Sequence, residues 1–304
     1  MEDVGKDRFE VPISSLPLNA VKMLPVSSKI SDVIHLMQKE GFGSSLLEDQ
    51  GRPVGIVTER DLVMKYTGHY QEFLESEVST IMTTKLISIQ DSVTVRECMI
   101  LMGTKRIRHL PVEVDGQISK MISVNDLLKF IIDKFPVAVK SMGTLKNWSV
   151  NEVHVQDENF SFQQKTGQIS GNMFLVPLKK VVTRDLIKMD IKSSISEVIM
   201  KMQKLRNGMV VLTQHETILK GIITERDILK KVFGKQEINN NVLAKNYMTP
   251  NPDTLLEKHV LSYAINNMYQ GKYRNIILVD EERIPVSYVA LVDIIKAVSD
   301  KLST

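Results

Sequence analysis

Two short segments of the chain place a hydroxyl group three residues before a carboxylate. Residues 55–61 read Gly-Ile-Val-Thr-Glu-Arg-Asp, and residues 221–227 differ only by an isoleucine in place of the valine. The apolar run predicts a strand that ends at the threonine and a helix that begins near the aspartate. Free N–H groups at a helix start favour a phosphate, to which the Thr58 hydroxyl can donate. Ionised Asp61 only accepts hydrogen bonds, which suits ribose hydroxyls. The spacing therefore favours a ribose phosphate.

The same motif also has a purely structural interpretation. A threonine followed three residues later by an acidic residue, ahead of an apolar run, is an ordinary capping box at a helix start. Capping and ligand contact are compatible at one residue. Recurrence of the motif inside longer repeats favours the binding interpretation.

Longer internal repeats surround these motifs. Residues 9–13 align with 174–178, and residues 30–34 align with 195–199 at the same offset. One additional residue then precedes the second motif, as a polar turn tolerates. The two motifs therefore belong to duplicated units.

A second pair of segments ends in a similar way. Residues 123–126 close a segment that follows the first motif, and residues 290–293 close another that follows the second motif at nearly the same spacing. Repeats 1 and 3 resemble each other, as do repeats 2 and 4. The duplicated unit is therefore a pair of repeats.

The elements that must position the motifs follow from hydrophobic periodicity. In repeat 1, apolar residues at helical spacing predict a helix over Ser31–Lys39, opened by Ser31. Short apolar runs predict strands over Ser44–Glu48 and Val54–Thr58, joined by a polar turn. A second helix is expected to start near Asp61. The order strand, helix, strand, strand, helix returns in the other repeats.

This order of elements and these motifs resemble the CBS domain, the cystathionine-β-synthase module. Four copies imply an α+β fold in which the repeats form two pseudo-symmetric Bateman pairs. The implied boundaries are 9–68 for repeat 1, 76–132 for repeat 2, 174–235 for repeat 3 and 242–298 for repeat 4. Residues 133–173 would link the pairs, and residues 153–162 within them have the pattern of a small β-hairpin.

The resemblance implies an adenine-nucleotide pocket built around each motif. The hydroxyl and carboxylate residues of the motifs are Thr58, Asp61, Ser123, Asp126, Thr224, Asp227 and Asp293. Arg108 and His109 open the strand predicted over 108–114 in repeat 2, and could complete phosphate neutralisation or simply be solvated. The matching residues are Gly43 and Ser44 in repeat 1, Gly208 and Met209 in repeat 3, and Arg274 and Asn275 in repeat 4. Basic groups therefore occupy these positions only in repeats 2 and 4.

The four pockets are predicted to be unequal. In repeat 4, Ala290 stands where the other repeats have a serine or threonine, so a phosphate donor is lost. Ser287 in repeat 4 and Lys120 in repeat 2 replace a glycine, Gly55 in repeat 1. That glycine is expected to leave room for close backbone approach. We therefore expect repeat 4 to bind most weakly and repeat 2 to be intermediate.

Composition restricts the class of protein. The chain has 304 residues, 25% of them charged, and a net charge of +3, which is too small to argue for nucleic acid. A single cysteine, Cys98, fits a reducing cytoplasm and is interpreted as a small buried hydrophobe. The charged N-terminal segment and the lack of a long apolar run predict no secretory signal and no membrane span. The histidine spacing predicts no metal site.

We therefore predict a cytoplasmic, non-catalytic regulatory protein. It is expected to bind AMP, ADP or ATP, with S-adenosylmethionine as a further candidate, and to pass its binding state to an unidentified protein partner. Whether the pairs close within one chain or through a homodimer stays open. The alternatives are a scaffold with empty sites and a nucleic-acid-binding protein. The residues available to the latter are Lys120, Lys179, Lys180 and Arg184. An enzyme is disfavoured because no nucleophile and base are recognisable.

Overall fold

The computed structural model describes residues 7–136 and 174–303, except Val182 and Gln236. Nearly all of the predicted linker, including the hairpin predicted at 153–162, lies outside the described residues.

The described strands and helices follow the predicted order in each repeat. The strands are β1 Asn19–Ala20, β2 Met23–Pro25, β3 Ser44–Asp49, β4 Arg52–Thr58, β5 Ile89–Gln90, β6 His109–Val114, β7 Gln117–Ser123, β8 Arg184–Asp185, β9 Lys188–Asp190, β10 Met209–Gln214, β11 Ile218–Thr224, β12 Thr249–Pro250, β13 Thr254–Leu256, β14 Asn275–Val279 and β15 Pro285–Ala290. The α-helices are α1 Ile30–Glu40, α2 Glu59–Met64, α3 Tyr70–Glu75, α4 Val95–Lys105, α5 Val124–Lys134, α6 Ile195–Leu205, α7 Glu225–Asp227, α8 Leu261–Gly271 and α9 Leu291–Ser303. A π-helical turn over Ile228–Val232 continues α7.

Each repeat builds one small sheet with the same internal arrangement. A short strand runs parallel to the middle strand, which pairs antiparallel with the last strand. The sheets are β2-β3-β4, β5-β6-β7, β9-β10-β11 and β13-β14-β15. Four separate small sheets, each accompanied by helices of its own repeat, confirm the predicted α+β fold of four units in two pairs.

The two repeats of a pair exchange edge strands. β1 belongs to the start of repeat 1, yet it pairs with β7 of repeat 2, where Asn19 lies opposite Met121. In the second pair, β8 pairs with β15 of repeat 4, where Arg184 lies opposite Tyr288. β12 from the start of repeat 4 joins β11 of repeat 3 in return. The repeats of a pair therefore complete each other.

Two hydrophobic cores join the pairs. One is built mainly from buried residues of repeats 2 and 4, and the other mainly from those of repeats 1 and 3, with a few residues of the remaining repeats in each. α4 and α9 lie so close that a Cβ on Gly103 would be 2.7 Å from Lys296 Cβ. The pairs therefore close on each other within this single chain, a point that the sequence leaves undecided.

The prediction that Ser31 opens the first helix is wrong. α1 begins at Ile30, and Lys29 is its N-cap. The Lys29 backbone N–H donates to Asp32 Oδ2 at 3.0 Å. An acidic residue three positions after the cap satisfies a free N–H group there, so the local sequence supports an earlier start.

The second helix of repeat 1 also starts earlier than predicted. Thr58 is extended and caps α2, so the helix begins at Glu59 rather than at Asp61. Asp61 is consequently the third helical residue, and its carboxylate turns back toward the cap. This geometry explains why the threonine and the aspartate of the motif stand three residues apart.

Candidate functional site

The motifs of repeats 1 and 3 form matching capping boxes where a strand meets a helix. Thr58 donates its backbone N–H (3.0 Å) and its hydroxyl (2.6 Å) to Asp61 Oδ2. Its Oγ1 accepts the Asp61 N–H at 3.3 Å. Thr224 and Asp227 make the same contacts at the same distances. The capping interpretation of the motif is therefore confirmed, and one oxygen of each aspartate, Oδ1, is left for other partners.

In repeats 1 and 3 that second oxygen already has partners inside the protein. Lys65 Nζ lies 3.2 Å from Asp61 Oδ1, and Thr83 Oγ1 lies 3.3 Å from it. Lys231 of repeat 3 and Thr249 at the start of repeat 4 lie 2.6 and 2.9 Å from Asp227 Oδ1. A ribose in either repeat would have to share or displace these groups.

The aspartate of repeat 2 is more available. Ser123 donates its backbone N–H and its hydroxyl to Asp126 Oδ2, both at 2.7 Å. Among residues 7–136 and 174–303, no ion pair or hydrogen bond engages Asp126 Oδ1. The side chain is half-buried and lines a cavity, so it offers a free acceptor to a ligand.

The aspartate of repeat 4 is bound by the protein itself. Asp293 is 4% exposed and accepts two hydrogen bonds from Arg184, at 2.7 Å from Nε and 2.8 Å from Nη2. The hydrogen bond to Asp293 is the main cause that raises the pKa of Arg184. Bidentate pairs of this kind are among the strongest hydrogen bonds in proteins. The nucleic-acid hypothesis needs Arg184 at the surface, but this pair holds it.

Two buried glutamates hold four arginines at the centre of the molecule. Each glutamate belongs to a motif of one pair and takes at least one of its arginines from the opposite pair. The contacts are Glu59 with Arg226 and Arg274 (3.2 and 3.1 Å), and Glu225 with Arg60 and Arg108 (3.1 and 2.6 Å). Ion pairs therefore cross-link the two pairs of repeats in a matching pattern.

Four arginines against two glutamates leave this centre positive. Burial lowers the pKa of Arg274, and Glu59 offsets that effect only in part. Burial also opposes the charge of Arg108, but Glu225 and Glu59 outweigh it and raise the pKa. Partly buried positive charge is costly unless an anion shares it. The centre is therefore chemically suited to phosphate groups.

His109 of repeat 2 lies beside this cluster. Burial lowers its pKa well below the ordinary value, and neighbouring arginines lower it further, so the unliganded ring is neutral at pH 7. Those arginines are Arg274, Arg108 and Arg226. Gly43 makes room for the ring, since a Cβ there would lie 2.8 Å from His109 Cε1.

Three cavities surround the centre, each named here for the repeat whose strand-to-helix turn it adjoins. The lining of the repeat 2 cavity, about 300 Å³, includes Asn19, Ala20, Val21, Gly43, Ser44, Leu46, His109, Met121, Ser123, Asp126 and Arg274. The lining of the repeat 3 cavity, about 310 Å³, includes Glu59, Arg108, Gly208, Thr224, Asp227, Lys230, Lys231, Thr249, Lys272 and Arg274. The lining of the repeat 4 cavity, about 360 Å³, includes Arg60, Lys105, Arg106, Arg108, Arg184, Arg206, Gly208, Met209, Glu225, Arg274 and Ala290.

These cavities unite most of the residues singled out in the sequence. Those in the repeat 2 cavity are Gly43, Ser44, His109, Ser123 and Asp126. Those in the repeat 3 cavity are Arg108, Gly208, Thr224 and Asp227. Those in the repeat 4 cavity are Arg108, Gly208 and Met209. Those that line none of the three are Thr58, Asp61 and Asp293.

Sequence reasoning missed residues that reach a cavity from elsewhere in the chain. Asn19 enters the repeat 2 cavity from β1, a strand that no motif marks. Arg274 was not missed: it aligns with Arg108 in the sequence, and it lines all three cavities. Glu59 and Glu225 stand inside the motif, where their recurrence could have revealed a shared role.

Gly55 leaves room for a close backbone approach as expected, but the segment that approaches it is the start of the next repeat, where the Thr83 backbone oxygen would lie 3.3 Å from a Cβ. A Cβ at this position would lie 2.6 Å from Met82 Sδ, so the vacant space holds a neighbouring side chain rather than a ligand. Met248 takes the same place beside Gly221. The glycine therefore seats the segment that opens the next repeat. The serine at position 287 gives no separate reason for weak binding in repeat 4.

Three observations on the described residues concern metal binding, membrane insertion and the reactivity of the cysteine. No group of three or more His, Cys, Asp or Glu side chains among them could hold a metal ion. No helix among them combines the length and apolarity that crossing a membrane requires. Cys98 is buried as predicted, and burial raises its pKa to about 12, which makes it a poor nucleophile.

Comparison with known sequences identifies the repeated unit. A family model for the CBS domain matches residues 13–68, 78–133 and 178–234. CBS domain-containing protein CBSCBSPB5 of Arabidopsis thaliana is 22% identical over 300 residues, which cover 96% of this chain and 53% of that protein. Meiotically up-regulated gene 70 protein of Schizosaccharomyces pombe is 22% identical over 321 residues, with coverages of 94% and 43%. The chain therefore spans about half the length of these curated relatives.

Comparison with solved structures supports the four-unit fold. Protein MJ1225 of Methanocaldococcus jannaschii, described as a proposed archaeal homologue of g-AMPK, superposes with a TM-score of 0.72 and 16% identity. The superposition covers 94% of this chain and 99% of that one. At this level of identity the likeness shows the fold alone.

Proposed function

Because the chain belongs to the CBS-domain family, we propose that it binds adenine nucleotides in the cavities between its repeats. Binding is proposed to regulate a protein partner rather than to start a reaction. AMP, ADP and ATP are the leading ligands, and S-adenosylmethionine is a further candidate.

The repeat 2 cavity carries the proposal, because its aspartate has a free oxygen. Asp126 Oδ1 can accept hydrogen bonds from the two vicinal hydroxyls of a ribose, since an ionised carboxylate is an acceptor only. Leu46, Met121 and Ala20 of β1 line the same cavity and offer an apolar slot for the base. Arg274 also lines this cavity and is available to a phosphate.

The repeat 3 cavity is proposed as a second, weaker nucleoside site. Asp227 lines it, but Lys231 and Thr249 already hold the second oxygen of that carboxylate. Lys230 and Arg108 add positive charge to the same lining. A ligand in this cavity is therefore expected to gain more from its phosphates than from its ribose.

Shared arginines provide a route from binding to a change of state. Arg274 lines both nucleotide cavities and is held by Glu59 of the opposite pair. A phosphate that engages Arg274 competes with Glu59 and so weakens one cross-link between the pairs. The expected effect is a population shift between arrangements of the pairs, with a coupling of ~1–3 kcal/mol.

Calorimetry on the full chain with AMP, ADP, ATP, adenosine and S-adenosylmethionine tests the proposal. Asp126→Ala removes the free acceptor and is expected to weaken nucleotide binding by about tenfold to a hundredfold. Asp133→Ala is the matched control, because Asp133 is exposed on the same helix, α5.

Two results would contradict the proposal. If none of these ligands bound, the ligand-free scaffold would be the better interpretation. If Asp126→Ala and Asp133→Ala bound nucleotide equally well, the repeat 2 motif would act only as a helix cap.

A further inference from the structure

We propose that the repeat 4 cavity binds a compact polyphosphate anion that carries no nucleoside. This cavity shares Arg274 with both proposed nucleotide cavities and Arg108 with the repeat 3 cavity, but its other cations are its own and its ligand belongs to a different chemical class. The proposal rests on the charge of the lining, the backbone that presents it and the loss of the ribose acceptor.

Positive charge dominates this cavity. Seven arginine and lysine side chains line it, against one lining carboxylate, that of Glu225. Even when Glu59 and Asp293, which pair with lining arginines from outside, are counted, four positive charges are left over. Like charges around a cavity of about 360 Å³ repel one another, and an anion that binds there relieves that repulsion.

Three of these cations have no carboxylate partner within the part of the chain that the structure describes. They are Lys105, Arg106 and Arg206. All three belong to helix C-terminal ends, in α4 of repeat 2 and α6 of repeat 3. Helices from both pairs therefore deliver unpaired cations to a single cavity.

The backbone under two of them is unusual for arginine. Arg106 has φ 54° and Arg206 has φ 52°, in the left-handed region where glycine is favoured at a helix end. Gly41 occupies the same helix-ending position in repeat 1. A cation at a helix C-terminus interacts well with the helix dipole. That effect does not require both arginines to line one cavity.

In repeat 4, the groups that could bind a ribose phosphate are either absent or already paired within the protein. Asp293 does not line the cavity and is held by Arg184, and Ala290 has no hydroxyl. Asp126 and Asp227, by contrast, line their own cavities. Repeat 4 thus keeps a strong site for phosphate groups without an acceptor for a nucleoside.

Titration of the full chain with inorganic tripolyphosphate tests the proposal. We expect binding that weakens steeply as salt is raised, because the attraction is between charges. Arg106→Gly combined with Arg206→Gly removes two cations and relieves the left-handed backbone, so the fold is expected to be kept. Affinity for tripolyphosphate should fall at least about tenfold in that double variant.

Arg283→Gly is the matched control. It also removes an exposed arginine at positive φ (64°), but it lies outside the three cavities. This variant should bind tripolyphosphate like the wild type. A parallel titration with inositol hexakisphosphate shows whether the cavity prefers phosphates clustered on a ring or phosphates in a linear chain. Tighter binding of either compound supports the proposal, because both are compact polyphosphates without a nucleoside.

Some outcomes would overturn the inference independently of the nucleotide proposal. They are no binding of either polyphosphate, equal tripolyphosphate affinity in the wild type and the double glycine variant, or complete displacement of tripolyphosphate by adenosine. AMP binding and its sensitivity to Asp126→Ala would be unaffected by such a failure. Conversely, if the chain bound no nucleotide, the tripolyphosphate titration would still test the repeat 4 cavity.

Discussion

The turns of repeats 2 and 4 have the same architecture but offer opposite chemistry. In repeat 2 the aspartate keeps a free oxygen beside a cavity that Asn19 of β1 also lines. In repeat 4 the aspartate is held by Arg184 of β8. Asn19 lies opposite Met121 and Arg184 opposite Tyr288, at equivalent positions of the exchanged strands.

The difference shows that a motif residue can be present without being available. The exchanged strand, which lies outside the motif, decides which partner the carboxylate meets. One amide-to-guanidinium change at an edge strand converts a candidate ribose acceptor into an internal ion pair.

The largest expected effect comes from making repeat 2 resemble repeat 4. Asn19→Arg should place a guanidinium against Asp126, so a nucleotide would have to break a charge-assisted pair. We expect the repeat 2 site to lose about 3 kcal/mol, or roughly a hundredfold in affinity for AMP measured by calorimetry. Asn19→Gln controls for side-chain length. An equal loss in both variants would point to crowding instead of charge.

Removing the two aspartates should separate stability from binding. Asp293→Ala leaves Arg184 without its partner and should cost about 2–3 kcal/mol of unfolding free energy, less than a fully buried pair because Arg184 keeps 28% of its side chain exposed. Asp126→Ala should cost only about 1 kcal/mol as a lost cap. Urea denaturation and AMP titration of both variants check this. Weaker AMP binding in Asp293→Ala would contradict the proposed difference between the two aspartates, in which only Asp126 contacts a ligand.

A smaller gain is expected from making repeat 4 resemble repeat 2. Arg184→Asn with Ala290→Thr frees Asp293 and restores a hydroxyl, which should add a nucleotide site gaining about 1–1.5 kcal/mol, or roughly tenfold. Arg184→Asn with Ala290→Val is the matched control, because valine has the shape of threonine without the hydroxyl. Unchanged AMP stoichiometry in both variants would show that more than these two residues closes the site.

The smallest expected effect is a dependence on pH through His109, for which repeat 4 has Asn275 at the matching position. A phosphate bound beside Arg274 would raise the pKa of His109, which is lowered in the unliganded protein. Nucleotide binding should therefore take up protons and strengthen by roughly threefold between about pH 7.5 and 6. Calorimetry in buffers of different ionisation enthalpy measures the uptake, and His109→Gln should abolish it.

The same histidine gives a prediction of opposite sign for the unliganded chain. Because the folded pKa of His109 lies below the unfolded value of about 6.5, the unfolded state binds the proton more readily. The contribution of His109 to stability is therefore complete above pH 6.5 and is lost as the pH falls through the folded pKa. Unfolding free energies of the wild type and His109→Gln should differ by a constant amount above pH 6.5 and diverge from that difference below it.

Local patterns predict the repeated units and the motif turns, because periodicity and capping act over a few residues. The partner of Asp293 could not be found in this way, since Arg184 is 109 residues away in the chain and meets it only through strand exchange. The same exchange brings Asn19 to the cavity of Asp126. The neighbour of Gly55 could not be named either, because Met82 comes from the following repeat.

Strand exchange also has a consequence for how the chain is made. Asn19 of β1 must wait for Met121 of β7 before it can pair, so most of the first pair of repeats has to leave the ribosome first. Contacts this far apart in sequence slow folding, because a long loop must close before they form. Repeat 1 therefore leaves the exit tunnel with its first strand unpaired, and β1 finds its place only after most of the pair has been synthesised.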